Sequence, residues 1–420
     1  MRQYRIRGRN RLAGELCIGG AKNAVLPILA AVCLNESETV IHNCPRISDT
    51  FVSIEILKGI GCGAEFSGNT LTVKPGKSMC REIPDECVKK MRSSILFMGA
   101  MLACDGRVNL ALPGGCNLGE RAINLHIQGL EAMGAKISQD GDRLFCETSG
   151  LKGAKIKLEF ASVGATENLM IAATKASGET IIDNAAREPE ISDLAEFLKK
   201  LGADIKGAGT SRIVINGVKN LNKKVTHQIM PDRIVAGTYL VAAAMTAGEI
   251  TLKNVRPQDA RSFTTHLSSM GCRVFAENDL ITLLAPEKLR AIPTLSTGVH
   301  PYFPTDMQAQ FVAALALAHG RSIVHETIFE ERCSHAAELQ KMGADIRLSG
   351  DNCTFFINGV NRLNGAKVIA HDLRCGAALV LAALAAEGES FVQNAEYIER
   401  GYANIEKDLS SLGAEICLEM

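Results

Sequence analysis

The 420-residue chain is predicted to be α/β, made of six repeats of about 70 residues that hold apolar helices inside and sheets outside, divided between two domains. Three observations carry this reading. A phrase of leucine, two variable residues, an apolar residue and glycine recurs as LKGIGCGAEF from Leu57, LEAMGAKI from Leu130, LKKLGADI from Leu198, LSSMGCRV from Leu267, LQKMGADI from Leu339 and LSSLGAEI from Leu409. Its closing glycines, Gly61, Gly134, Gly202, Gly271, Gly343 and Gly413, lie 68 to 73 residues apart. Upstream of each phrase stands a helix-length stretch that is apolar on nearly every side.

The phrase reads as the last turn of an amphipathic helix, stopped by a glycine that can take positive φ, then a strand of alternating apolar residues. The upstream stretches are NAVLPILAAVCL, SSILFMGAMLAC, ATENLMIAATKA, RIVAGTYLVAAAM, DMQAQFVAALALA and CGAALVLAALAA. Helices of this kind belong in the interior. Each is followed by a polar turn and a strand, such as ETVIHN, GRVNLAL, ETIIDN, GEITLKN, RSIVHE or ESFVQN. The unit is therefore β-α-β-α-β-β.

Six units divide as three plus three. The joint falls near residues 220 to 230, where LNKKVTHQIMPDR breaks the pattern. One domain is expected at 21–229, and the other at 1–20 plus 230–420, because the first residues supply a strand that the last unit lacks. A chain of this length commonly forms two domains.

The 46 basic residues balance the 46 acidic ones, which removes any whole-molecule attraction to nucleic acid or to an anionic membrane. No secretory signal or membrane-spanning run is visible, so a cytoplasmic location is expected. Fourteen cysteines without a C-x-x-C pair suggest neither a disulfide framework nor a zinc site.

Chemistry collects at the entrances of the six apolar helices, which read GAKNAV, KKMRSSI, SVGATEN, MPDRIVA, FPTDMQA and HDLRCGA. A helix N-terminus presents unpaired N–H groups and partial positive charge, which favours anions. Lys22, Arg92, Arg233 and Arg374 would sharpen such a site. The plainer alternatives are that Asn23, Thr305 and Asp306 only cap helices and that Arg92 is a solvated surface charge.

The stretch PGGCNLGER places Cys116 between glycines, with Arg121 just beyond, where a purely structural thiol has little to pack against. No metal-ligand spacing is present, and His126, His300 and His335 read as ordinary polar contacts. A glycine-rich nucleotide loop is also absent.

The phrases GAKNAVLPILAA, MRSSILFMGA, PGGCNLGER, SVGATEN, NAAREPEI, MPDRI, FPTDMQAQF, HDLRCGAALV and ERGY run the length of the chain. In this order they resemble those of the UDP-N-acetylglucosamine 1-carboxyvinyltransferases, members of the enolpyruvyl transferases. The resemblance implies a two-domain inside-out α/β barrel, EPSP synthase-like, with its active site in the cleft between domains. It implies phosphoenolpyruvate and UDP-N-acetylglucosamine as substrates, no cofactor and no metal, and the first committed step of peptidoglycan synthesis.

Carried over by position, Cys116 is the general acid, Lys22 holds the phosphate with Arg121 and Arg400, and Asp306 takes the proton from the sugar hydroxyl. Asn23, Arg92, Arg121, Ala122, Ile123, Asn124, Leu125, Ser162, Val163, Gly164 and Ile328 line the nucleotide sugar. Asp372 and Arg374 form the other wall. Inactivation by an epoxide phosphonate such as fosfomycin would act through Cys116. Where the family commonly reads G-x-R-P-x-D-x-H, this chain has Ala122 and Asn124 in place of proline and aspartate. A divergent copy acting on another acceptor, or an inactive binder of the nucleotide sugar, therefore stays open beside the active transferase.

Overall fold

The computed structural model describes residues 2–76, 80, 82–114 and 123–420. Its described residues form two compact units, one of 2–19 with 231–420 and one of 20–114 with 123–230.

In the unit containing 20–114, helices Lys22–Ala31, Leu96–Asp105 and Val163–Ala173 each pack against the other two. In the other unit Arg233–Met245, Gln308–Leu315 and Leu373–Ala385 do the same. These are the apolar stretches of the sequence. Leu379, Val380, Leu381 and Leu384 of the last helix are all at most 1% exposed. Burial of each such side chain contributes about 2 kcal/mol.

The third repeat shows the unit in full: strand Lys155–Lys157, buried helix Val163–Ala173, strand Glu179–Asp183, outer helix Pro189–Leu201, and strands Asp204–Lys206 and Arg212–Asn216. Glu179–Asp183 pairs parallel with Lys155–Lys157 and antiparallel with Arg212–Asn216, which pairs in turn with Asp204–Lys206. The outer helix buries Ile191, Leu194, Phe197, Leu198 and Leu201 while Lys199 and Lys200 face water. All six stop glycines have φ between 91° and 120°, the left-handed region that penalises any side chain.

Among the described residues, five sheets of four strands and one of three cover the two units. In the three-stranded one, an isolated bridge from Glu82 to Asn109 stands where the others have a parallel edge strand. The sixth repeat takes a central strand from the start of the chain: Gln3–Arg7 lies between Glu389–Gln393 and Glu415–Glu419. The first repeat takes its parallel edge strand from Val225–Gln228, within the stretch that interrupts the sequence pattern.

A clamp recurs at the ends of the inner strands. Asn43, Asn184, Asn254 and Asn394 each follow such a strand with φ between 53° and 59°. Their Nδ2 groups donate to the carbonyls of Ile229, Leu158, Ile18 and Ala370 at 3.0, 2.9, 2.6 and 3.1 Å. Each acceptor is the first residue past the parallel strand, on the run into a buried helix. Asparagine suits both tasks, since it tolerates the left-handed region and carries a donor.

Replacing Asn184 by alanine is expected to destabilise the protein by about 2 kcal/mol, through backbone strain and the lost hydrogen bond. Urea unfolding monitored by circular dichroism checks this.

Candidate active site

In the unit containing 20–114, Lys22 opens its helix, and the N-cap position before it is Ala21, which makes no side-chain cap bond. Its Nζ lies 2.8 Å from Asp49 Oδ2, with the two side chains 12% and 5% exposed. Asp49 sits in the first turn of helix Ser48–Gly59, where the helix dipole favours an acid. Asn23 follows Lys22 inside the helix and is not its cap.

Arg92 begins the 3-10 turn Arg92–Ile95 and is half-buried, so it is not a freely solvated charge. Ser162 caps helix Val163–Ala173, accepting a hydrogen bond from Ala165 N at 3.3 Å. Ile123, Asn124 and Leu125 stand at the start of helix Asn124–Ala132.

Buried Asn168 joins these entrances. Its Oδ1 accepts from Gly99 N at 3.0 Å, so its amide nitrogen faces Ile95 O at 3.3 Å and His126 Nδ1 at 3.0 Å. His126 Nδ1 must therefore accept, which makes the ring neutral with its proton on Nε2. Burial, with Arg92 adding to it, pushes the His126 pKa down to about 4.

In the unit containing 231–420, Asp306 is the centre of the charge. Thr305–Met307 form a 3-10 turn leading into helix Gln308–Leu315, and the residues at the two N-cap positions, Pro304 and Met307, make no side-chain cap bond. Asp306 instead receives Arg332 Nη1 at 3.1 Å on Oδ1 and Arg374 Nη2 at 2.8 Å on Oδ2. Burial alone would raise its pKa, but Arg374 and Arg332 outweigh burial and hold the carboxyl well below the usual range.

Both arginines are themselves fixed. Arg374 Nη1 lies 3.4 Å from Tyr402 OH, which is 2.8 Å from Thr238 Oγ1. Thr238 donates its proton to Ile234 O at 2.8 Å, so Tyr402 donates to Thr238 and offers its lone pairs to Arg374. Gln310 Nε2 donates to Asp306 O at 3.0 Å and to Thr238 Oγ1 at 3.3 Å, closing the ring. Arg332 stacks over Phe329 with 4.6 Å from Cζ to the ring centre, and its Nη1 also donates to Thr305 Oγ1 at 2.8 Å.

Asp232 and Asp372 do cap their helices. Asp232 Oδ1 accepts from Ile234 N and Val235 N, both at 2.9 Å, just ahead of buried Arg233. Asp372 Oδ1 accepts from Arg374 N at 2.8 Å and Cys375 N at 3.0 Å, so it fixes the entrance from which Arg374 projects. Arg400 lies half-buried in the turn two residues before Tyr402. The backbone N–H of Ile328 donates to Glu326 Oε1 at 2.8 Å. His335 is buried and stacked on Phe355 with 5.1 Å between ring centres.

Cys116, Arg121 and Ala122 lie outside the described residues. Among the described residues no group of three or more His, Cys, Asp or Glu could hold a metal, every cysteine is a free thiol, and no helix is long and apolar enough to cross a membrane. Sequence reasoning passed over Asp49, Glu326 and Arg332, which lie on the outer helix, the inner strand end and the loop rather than at the inspected entrances. Comparing the repeats would have exposed Glu326, which stands where Asn43, Asn184, Asn254 and Asn394 stand in sister repeats.

Two units of three repeats each, with cations and an arginine-held aspartate at the mouths of buried helices, define the enolpyruvyl transferase class of fold. The chain belongs to the family described as EPSP synthase (3-phosphoshikimate 1-carboxyvinyltransferase), which it matches over residues 6–409. It is 47% identical over 416 residues to UDP-N-acetylglucosamine 1-carboxyvinyltransferase 2 of Caldanaerobacter subterraneus subsp. tengcongensis, covering 99% of each chain. It is 43% identical, at the same coverage, to UDP-N-acetylglucosamine 1-carboxyvinyltransferase of Halothermothrix orenii. The crystal structure of the enolpyruvyl transferase NikO from Streptomyces tendae superposes with a TM-score of 0.89 at 25% identity, covering 99% of this chain and 98% of that one. An EPSP synthase from Acinetobacter baumannii shares the fold at a TM-score of 0.77 and 18% identity, with both chains fully covered.

Because the folded pKa of His126 lies below its ordinary value of 6.5, its contribution to stability is complete above that pH and is lost as pH falls toward about 4. Its ring carbon proton resonance should stay unshifted between pH 8 and pH 5 in a proton NMR titration, roughly two units beyond where a solvated histidine begins to charge.

Proposed function

We propose that the protein transfers the enolpyruvyl group of phosphoenolpyruvate to the 3-hydroxyl of UDP-N-acetylglucosamine and releases phosphate, in the cytoplasm, as the first committed step of peptidoglycan synthesis. The observation that carries the acceptor is the 47% identity, end to end, to a relative named for that reaction. The likeness to an EPSP synthase at 18% identity speaks for the fold alone.

The chemistry explains the residue types. The methylene of an enol ether must gain a proton before the neighbouring carbon becomes electrophilic, so an acid has to stand over it, and Cys116 is assigned that place. The sugar hydroxyl must lose a proton as it attacks, and Asp306 is assigned to receive it. Lys22, Arg121 and Arg400 neutralise the phosphate and carboxylate of phosphoenolpyruvate. Asn23, Arg92, Arg121 to Leu125, Ser162 to Gly164 and Ile328 line the nucleotide sugar, with Asp372 and Arg374 opposite. Water must be kept from the cationic intermediate, which it would otherwise trap.

Asp306 adds a condition to this reading. Held by two guanidinium groups, its carboxylate is a feeble base. Its basicity rises when an anionic substrate draws on either arginine, so proton removal is tied to the arrival of phosphoenolpyruvate.

The test mixes the protein with phosphoenolpyruvate and UDP-N-acetylglucosamine and follows phosphate release and the new enol ether. Asp306→Asn is expected to lower kcat by roughly 10²- to 10⁴-fold, and Cys116→Ser by a similar order. Undiminished turnover of Cys116→Ser would remove the thiol from the chemistry. Fosfomycin should add its mass to wild type and leave Cys116→Ser unmodified by mass spectrometry. Ala122 and Asn124 favour a second reading, in which the acceptor is a modified nucleotide sugar. Turnover of such a sugar without turnover of UDP-N-acetylglucosamine would select it, and binding of UDP-N-acetylglucosamine with no turnover of either would mark an inactive binder.

A further inference from the structure

The inner strands Thr39–His42, Glu179–Asp183, Glu249–Lys253 and Glu389–Gln393 are each followed by the clamping asparagine, whereas Arg321–His325 is followed by Glu326. Leu112 follows the remaining inner strand, Arg107–Ala111, whose sheet lacks the parallel edge strand, so Glu326 is the one acid at this place, and it falls in the repeat that carries Asp306. The clamp is kept there in altered form, because Glu326 Oε1 accepts from Thr297 Oγ1 at 3.0 Å, and Thr297 is again the first residue past the parallel strand. Oε1 also accepts from Ile328 N at 2.8 Å and Phe329 N at 3.2 Å, which accounts for one oxygen entirely through local structure.

The other oxygen does something that no asparagine could. Oε2 accepts from Thr305 Oγ1 at 2.9 Å, and Thr305 Oγ1 accepts from Arg332 Nη1 at 2.8 Å. A threonine hydroxyl has one proton. Spent on the carboxylate, it leaves a lone pair toward the guanidinium, and the same Nη1 reaches Asp306 Oδ1 at 3.1 Å. Glu326 is only 4% exposed, so its charge stands in a place where an apolar or amide residue would be less costly to bury.

We propose that Glu326 is a positioning residue, which fixes the direction of the Thr305 hydroxyl and through it holds Arg332 against Asp306. The proposal rests on the enolpyruvyl transfer reading only for its kinetic consequence. The geometry it asserts is independent of the acceptor.

Glu326→Gln tests it with almost no change of shape. The amide oxygen must occupy the Oε1 place, where two backbone N–H groups and a hydroxyl donate, so the amide nitrogen faces Thr305. Thr305 then accepts from the amide, its proton loses the carboxylate that fixed its direction, and the lone pair that faced Arg332 is no longer held in place. The expected result is a protein that unfolds near the wild-type urea midpoint, with kcat lowered about tenfold and KM for both substrates within about threefold. Thr305→Val should lose a similar factor, Thr305→Ser should retain wild-type kcat, and the double variant Glu326→Gln with Thr305→Val should be no worse than either alone.

A crystal structure of Glu326→Gln reads the outcome even where the assay gives no product: the Arg332 to Thr305 contact should open beyond hydrogen-bond reach. Glu326→Gln with an unmoved Arg332, or with kcat within twofold of wild type, overturns the proposal. Losses that multiply in the double variant do the same. A wild-type protein that makes no enol ether overturns the transfer reading and leaves the crystallographic arm to decide this one.

Discussion

Three helices that are apolar on every side can be hidden only if something else covers all of their faces, and that requirement organises each unit. Strands and amphipathic helices are displaced to the outside, the reverse of the usual arrangement in which helices cover a sheet. A helix wrapped in this way meets polar surroundings only at its ends. Its N-terminal end carries unpaired N–H groups, so the burial that stabilises the fold also creates a small number of places where anions are favoured. Lys22, Arg233 and Arg374 stand in the first two positions of such helices, and Arg92 opens the 3-10 turn that leads into one.

Entrances that align in the repeat do not have the same use. Asp232 and Asp372 spend an oxygen on backbone N–H groups, as aspartates at this position commonly do. Asp306 stands inside the 3-10 turn Thr305–Met307 instead of at an N-cap position, and its carboxylate is held by two guanidinium groups. The distinction arises from the local backbone. A capping aspartate is bound to the fold whether or not a ligand is present, whereas the ionisation of Asp306 depends on what its arginines are doing.

The repeat architecture is written in the sequence because each of its causes is local. A glycine that must take positive φ, an apolar helix and an alternating strand leave signatures within a dozen residues, and Gly61, Gly134, Gly202, Gly271, Gly343 and Gly413 all adopt the conformation that the phrase implies. Lys22, Asp306 and Arg374 were legible through their place at helix entrances and through the family phrases. Asp49 and Arg332 were not, because what marks them is a partner distant in sequence: Arg332 is 26 residues from Asp306, and Asp49 belongs to the outer helix that follows Lys22's own. The pairing of Gln3–Arg7 with both Glu389–Gln393 and Glu415–Glu419 spans almost the whole chain, and only the missing strand of the last unit hints at it. Whether Asp306 caps its helix or is held by arginines is likewise a question of side-chain direction, to which periodicity is blind.

Pairing Lys22 with Asp49, and Arg332 and Arg374 with Asp306, before any ligand arrives has a physical purpose in a protein whose overall charge is balanced. Two unit charges 4 Å apart interact by about 4 kcal/mol at an effective dielectric of 20, which is enough to hold a long side chain in one rotamer against its entropy. On the proposed function, Lys22, Arg332 and Arg374 would without Asp49 and Asp306 have to be ordered by the substrate itself, and that ordering would weaken binding. With them, an incoming anion would exchange one partner for another at groups already aimed. The exchange also discriminates, because a neutral molecule has nothing to offer an arginine that already holds a carboxylate. An anion of two or more charges can compete for that arginine, and in doing so it returns to the displaced carboxylate the basicity that the arginines had suppressed.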